Sequence, residues 1–297
     1  MNTRSRFFIG VDGGGTGCRV RLADAAGRIL GESIGGAANV YLDRPRATAT
    51  IRDTIAAVLA KAGLAAANRA DLSLGLGLAG VSGPEVAATV RAAFPEFGSV
   101  AVVHDGVSAC LGAHGGEDGG LVIVGTGSAA VLRLRGVDVS FGGRGFHLGD
   151  DGSGACLGRD LWRKVLRAYD GLEPWSPLLQ NSMAEFGGDP VAVIRWGRDA
   201  RSHEFAAFAP RVLAAARELD PAALVLVNQS AAAIGELIEA LRYRGAPRIS
   251  LVGGLAGEIT PYLADEPRDS LSPPLADALA GALMLAGAPR GSGRDAK

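Results

Sequence analysis

Residues 9–22 read IGVDGGGTGCRVRL, and residues 121–134 read LVIVGTGSAAVLRL. Each passes from an apolar run through a glycine turn with a threonine into a second stretch that alternates apolar and other residues. That is the pattern of two strands joined by a tight turn. A second pair follows in the same order. LGLAGV at 76–81 and VGGLAGE at 252–258 each run from a strand through Gly-Leu-Ala-Gly or its like toward a helix. Two matched pairs in one order imply an internal duplication. The expectation is therefore two α/β domains, residues 1–117 and a larger 118–297, with glycine turns from both lining a cleft.

The intervening segments fit this reading. Residues 6–11 form a first strand, 18–25 a second, and 28–34 a third antiparallel one. A helix opens at Pro45, repeats apolar residues at Ile51, Ile55, Val58 and Ala62, and stops at Gly63. Residues 72–81 are a buried strand, 84–94 a helix opened by Pro84, 99–103 a strand ending at Asp105, and 106–113 a helix. In the second copy a helical insertion includes 221–244, opened by Asp220-Pro221, with Leu224, Val227, Ala231, Ile234, Ile238 and Leu241 on one face.

Composition narrows the function classes. The chain has 297 residues, 48% apolar and 21% charged, with a formal net charge of −1, so no general electrostatic attraction to nucleic acid or anionic membrane is expected. Its 44 glycines are expected mainly at turns. Phe7-Phe8-Ile9, behind Arg4 and Arg6, is too short for a signal peptide. No segment is expected to reach the ~20 apolar residues of a spanning helix. Cys18, Cys110 and Cys156 are far apart and lack metal-ligand spacing, which points to reduced, buried thiols and a cytoplasmic protein. His104, His114 and His147 likewise lack ligand spacing and read as structural or surface groups. Trp162, Trp175 and Trp196 read as isolated core or rim residues, and 195–201 as a mixed, solvated helix face.

The chemistry-bearing signal is Asp12-Gly13-Gly14-Gly15-Thr16 at the end of the first strand. Consecutive glycines let backbone N–H groups approach phosphate oxygens, and Thr16 adds a hydroxyl. Asp12 supplies a carboxylate for a Mg²⁺-bound triphosphate, through water because Mg²⁺ dehydrates reluctantly. A strand follows, so neither the GxxxxGK[ST] loop nor the GxGxxG fingerprint applies. Gly125-Thr126-Gly127-Ser128 repeats the device without the acid. Asn39, in a loop of small residues, offers an amide donor and acceptor suited to vicinal sugar hydroxyls. Asp105, where a strand ends, suits a general base or a helix N-cap.

VDGGGTGCR, VIVGTGSAA and ISLVGGLAGE together resemble the phosphate and adenosine motifs of the actin, Hsp70 and sugar-kinase superfamily. With SIGGAAN at 33–39, HDGVSACLGAH at 104–114, GGRGFHLGDDGSG at 142–154 and DALAGALMLAG at 277–287, the chain is similar to the BadF/BadG/BcrA/BcrD group, which contains glucosamine and N-acetylglucosamine kinases. The resemblance implies paired ribonuclease-H-like domains and an ATP- and Mg²⁺-dependent phosphotransferase acting on a small amino sugar, as a homodimer. It makes Asp105 the base and Gly253-Gly254 the opening of the adenosine pocket. It also makes Asn39, Gly143 and Asp150 sugar ligands, and leaves Asp151 to cap a helix or face solvent. Where N-acetylglucosamine kinases carry GGWG, this chain has Gly142-Gly143-Arg144-Gly145, which argues for glucosamine over its N-acetyl form. An ATP-driven activator of radical dehydratases would need paired cysteines for an iron–sulfur cluster, and a DNA-reading regulator a segment before residue 6 or after 290. Neither is expected.

Overall fold

A computed structural model describes residues 7–289. The readings placed on residues 4 and 6 and beyond 290 fall outside the described residues. The chain divides into two compact units.

The first unit is built on a five-stranded sheet of order β3-β2-β1-β4-β5. Its strands are β1 (Phe7–Gly13), β2 (Cys18–Asp24), β3 (Ile29–Gly35), β4 (Leu72–Leu78) and β5 (Ser99–His104). β1 to β3 form an antiparallel meander, while β4 and β5 run parallel to β1. Every residue of β4 is buried, as a central parallel strand requires. Helix α1 (Arg44–Lys61) starts on an Asp43 cap and a proline, then lays Ile51, Ile55 and Val58 into the core. Helices α2 (Pro84–Ala92) and α3 (Asp105–Ala113) follow the two parallel strands.

The second unit repeats the plan. Strands β6 (Gly119–Val124), β7 (Ser128–Leu134), β8 (Val137–Gly142) and β9 (Ile249–Val252) have the order β8-β7-β6-β9, the counterpart of β3-β2-β1-β4. β9 runs parallel to β6, as β4 does to β1. The fifth strand survives as a single parallel bridge from Ile249 to Leu271. Between β8 and β9 lies the helical insertion: α4 (Gly154–Tyr169), α5 (Pro177–Ala184), α6 (Pro190–Asp199), α7 (Ser202–Ala206), α8 (Ala209–Arg217) and α9 (Pro221–Tyr243). Helices α10 (Ala256–Ile259) and α11 (Asp265–Asp269) follow β9.

Several expectations need correction. On α9 the buried face includes Leu226 with Val227, Ala231, Ile234, Ile238 and Leu241, while Leu224 is only half-buried. This helix is also long and apolar enough, by composition, to span a membrane. Its buried face packs on α4 and α8. Trp162 and Trp196 are not isolated. Their rings lie 5.6 Å apart in a cluster with Phe186, Phe205 and Phe208. Finally, the first unit also takes in two stretches beyond the boundary expected at 117/118, residues 133–138 and 273–289. The second of these carries α12 (Ala278–Leu285), which packs on α3, β1 and β4.

That packing depends on glycines outside turns. A Cβ at Gly10 would sit 2.8 Å from Leu279 O, and one at Gly75 would overlap Ala282 O. Gly112 of α3 and Gly281 of α12 leave the same room reciprocally, against Asp277 O and Ser108 O. The head of α12 is fixed by Asp277, which caps Ala280 N at 2.9 Å and receives both Arg21 amino groups at 2.8 and 2.7 Å. Burial alone would raise the Asp277 carboxyl, yet the Arg21 fork holds it below the usual range.

Candidate active site

In the first unit the candidate groups gather at the carboxyl ends of β1, β4 and β5. Gly13 pairs in register with Leu78, and Leu78 with His104. Neighbouring strands lie ~4.8 Å apart, so the β1 turn and the start of α3 stand about 10 Å apart on one sheet edge. Ligands of parallel α/β sheets bind at this edge.

The β1–β2 turn closes through Gly14 N donating to Gly17 O at 2.8 Å, and Gly14 O accepts from Ala38 N at 2.9 Å. Gly13 is held by packing, since a Cβ there would sit 2.6 Å from Leu78 Cδ2. A Cβ at Gly15 would meet no atom within 4 Å, and its φ lies outside the left-handed region. The glycine at 15 is therefore demanded by neither backbone angle nor internal packing. Gly15 and Thr16 are exposed, so the room they leave faces outward. Asp12 stands directly opposite Arg19, whose Nε and an amino group donate to Asp12 Oδ2 at 3.2 and 2.6 Å. Sequence reasoning missed Arg19. Counting the hairpin register outward from the turn would have found it.

Asn39 holds its own loop. Its Oδ1 accepts from Tyr41 N at 2.9 Å and from Leu42 N at 3.3 Å. The acceptor expected to face a sugar hydroxyl is thus engaged in an Asx turn, which leaves the amide N–H groups. Asp105 is the first residue of α3, and its Oδ1 accepts from Gly106 N at 2.8 Å. The cap itself is His104, not Asp105. Ser108 Oγ donates to Asp105 O at 2.8 Å, and Ser108 packs where a Cβ on Gly77 would be, so α3 is seated on β4 directly beneath the carboxylate.

In the second unit, Gly125 and Gly253 follow the adjacent parallel strands β6 and β9. Gly253 has φ 108°, and its Cβ would collide with the Val124 carbonyl, whereas Gly254 faces open space. Gly125 N donates to Gly127 O at 2.9 Å, and α4 begins against this turn, Gly154 N donating to Gly125 O at 2.8 Å. Thr126 is exposed. Ser128 is buried, with its hydroxyl donated to Asp151 O at 2.7 Å, so it latches the loop and is not open to a phosphate. Gly143 is similarly engaged, its N–H donating to Ser128 O at 2.9 Å.

Asp150 adopts φ 59°, a region asparagine and aspartate tolerate better than other side chains. Its carboxylate packs over Gly127, where a Cβ would sit 2.7 Å from Oδ2, and accepts from Gly145 N at 3.1 Å. Burial pushes the Asp150 carboxyl up, Gly145 N–H opposes this, and the charge on Asp151 adds to it. Asp151 is exposed, and the cap of α4 is Ser153, which accepts from Cys156 N at 3.3 Å. A cavity of about 330 Å³ opens here, lined by Arg144, Leu148, Asp150, Asp151, Glu236 and Leu237 among others. Glu236, on α9, was not foreseen.

Cys18, Cys110 and Cys156 are buried, and burial pushes the thiols of the first two up to about 12. Inert, enclosed thiols cannot hold a shared iron–sulfur cluster. Among the described residues no group of three or more His, Cys, Asp or Glu gathers to bind a metal directly. The carboxylate beside the open β1 turn is that of Asp12, half-buried and paired with Arg19 through Oδ2.

A model of the BadF/BadG/BcrA/BcrD ATPase family matches residues 9–286. The chain is similar to glucosamine kinase GspK of Vibrio cholerae, at 37% identity over 95% of this chain and 96% of that one. N-acetyl-D-glucosamine kinase of Dictyostelium discoideum is 27% identical over 79% and 78% of the two chains. A solved structure of a candidate N-acetylglucosamine kinase from Chromobacterium violaceum superposes with a TM-score of 0.87 at 35% identity, covering 96% of this chain and 99% of its own.

Proposed function

We infer that this chain, which belongs to the BadF/BadG/BcrA/BcrD ATPase family, transfers the γ-phosphoryl group of ATP to the 6-hydroxyl of glucosamine. The observation that carries this reading is the sheet edge of the first unit, where an open glycine turn and a partly exposed carboxylate leave the ends of β1 and β5, the strands on either side of β4. Gly14 to Thr16, Gly125 to Gly127 and Gly254 receive the nucleotide. Bound Mg²⁺, approached by Asp12 through water, would neutralise charge on the phosphates. Asp105 accepts the proton of the 6-hydroxyl as that oxygen forms its bond to the γ-phosphorus. The bond to the bridging oxygen breaks, and ADP leaves. Asn39 donates to a sugar hydroxyl. We place the protein in the cytoplasm as a homodimer.

The choice of glucosamine rests on the cavity beside Asp150. Three carboxylates, Asp150, Asp151 and Glu236, line this cavity together with one guanidinium, Arg144. An ammonium gains a charge-assisted hydrogen bond from such a lining, and an acetamide does not. Arg144 forms no ion pair among the described residues, so its side chain is free to turn outward. Initial rates with glucosamine, N-acetylglucosamine, glucose and mannosamine test this. A kcat/KM for glucosamine at least tenfold above that for the N-acetyl sugar is expected, since specificity lies in that ratio. Equal values would make the protein a general hexosamine kinase.

A further inference from the structure

β5 ends at His104 and α3 begins at Asp105, so the two side chains share one turn of backbone. His104 Nδ1 lies 2.9 Å from Asp105 Oδ1 and 3.1 Å from Gly106 N. These two contacts need different states of the ring. A protonated Nδ1 donates to the carboxylate, whereas a bare Nδ1 accepts from Gly106 N–H. Gly106 N–H is itself 2.8 Å from Asp105 Oδ1, so the carboxylate can keep that bond when Nδ1 turns donor. Asp105 Oδ2 takes no hydrogen bond among the described residues.

Resting on the reading of Asp105 as the base, we propose that His104 is its positioning residue. Nδ1–H fixes Oδ1, Oδ2 is left for the sugar hydroxyl, and a second proton on the ring turns the base down. The bond to Asp105 draws the His104 ring above the ordinary histidine value, against the lowering effect of burial. The elements around it carry few other ionisable groups. They are Asp12 on β1, Glu85 and Arg91 on α2, the buried Cys110 on α3 and Asp277 at the head of α12, while β4 carries none. Among ionisable groups, Asp105 is the one that draws the His104 ring up. The sign follows. Below the ring's pKa an imidazolium pairs with the carboxylate and weakens it as a base. Above it the neutral ring still donates from Nδ1, and the carboxylate regains basicity. Turnover should therefore climb with pH through a value above that of free histidine.

The test uses the full chain and measures kcat and KM for glucosamine from about pH 5 to 9, in wild type, His104→Ala, His104→Asn and Asp105→Asn. We expect His104→Ala to lower kcat about tenfold, less than the roughly 10²- to 10⁴-fold of losing a general base because the base itself stays, with KM nearly unchanged and the acid limb displaced. In His104→Asn the amide N–H stands near the place of Nδ1, so most of kcat returns while the limb stays displaced. NMR titration of the histidine rings adds a readout free of turnover and of any His104 variant: Asp105→Asn should bring the His104 ring down. Wild-type kcat and pH profile in His104→Ala, or an unmoved ring titration in Asp105→Asn, would overturn the proposal. An inactive wild type would remove the kinase reading and this one with it, and an active Asp105→Asn would remove the base assignment and this one with it. An active wild type with an inactive Asp105→Asn and an unaltered His104→Ala would remove this one alone.

Discussion

Asp105→Asn will fold and bind ATP as wild type does, and its turnover will drop about 10²- to 10⁴-fold. The asparagine oxygen can still accept from Gly106 N–H, the bond that Asp105 Oδ1 makes at 2.8 Å, so the first turn of α3 stays intact. What disappears is the site that takes the hydroxyl proton. Phosphoryl transfer depends mainly on positioning and charge neutralisation, so some rate will survive. Initial rates give the loss, and titration calorimetry with ATP gives the unchanged binding. Turnover within a few fold of wild type, in a folded variant, would show that another group or water takes the proton.

Gly281→Val will cost the first unit most of its stability. A Cβ there would overlap Ser108 O and approach Gly112 N at 2.7 Å. Both are backbone atoms of α3, which cannot rotate aside as a side chain can. α12 must then lift from α3 and from β1 and β4, uncovering Leu279, Ala282 and Leu283, all now buried. Losses above about 4 kcal/mol arise from such backbone clashes and broken cores, and whole domains hold only about 5–15 kcal/mol. Gly257→Ala is the control. Its Cβ would meet nothing within 4 Å, so its unfolding midpoint should stay near that of wild type. Urea unfolding of both variants measures the contrast. A wild-type midpoint for Gly281→Val would mean that α12 does not lie against α3.

The duplicated hairpins were legible because each signal is local: an apolar run, a glycine turn and a period of two within fourteen residues. The candidate base was legible for the same reason, since a strand ended on it. Partner choice was not. DALAGALMLAG carries the family resemblance, yet nothing near it in sequence says that it forms α12 and returns to the first unit. Its partners, Gly10, Gly75 and Gly112, lie some 165 to 270 residues away in sequence. Read as turn formers, those glycines hid the surface they make for α12. Side-chain engagement was equally hidden. Asn39, Ser128 and Gly143 have the chemistry of ligand-binding groups, but their best hydrogen-bonding atoms serve their own loops. Arg19 reaches the β1 turn through register, and Glu236 reaches the Asp150 cavity through a distant helix, which no motif records.

In the proposed reaction phosphorus moves from ATP to one oxygen of glucosamine. The full chain incubated with glucosamine, ATP and Mg²⁺ should yield ADP and a sugar phosphate in equal amounts. Phosphorus–proton NMR of the product should show the phosphorus coupled to the protons on carbon 6. ADP formed at the same rate with and without sugar, or phosphorus absent from carbon 6, would contradict the claim.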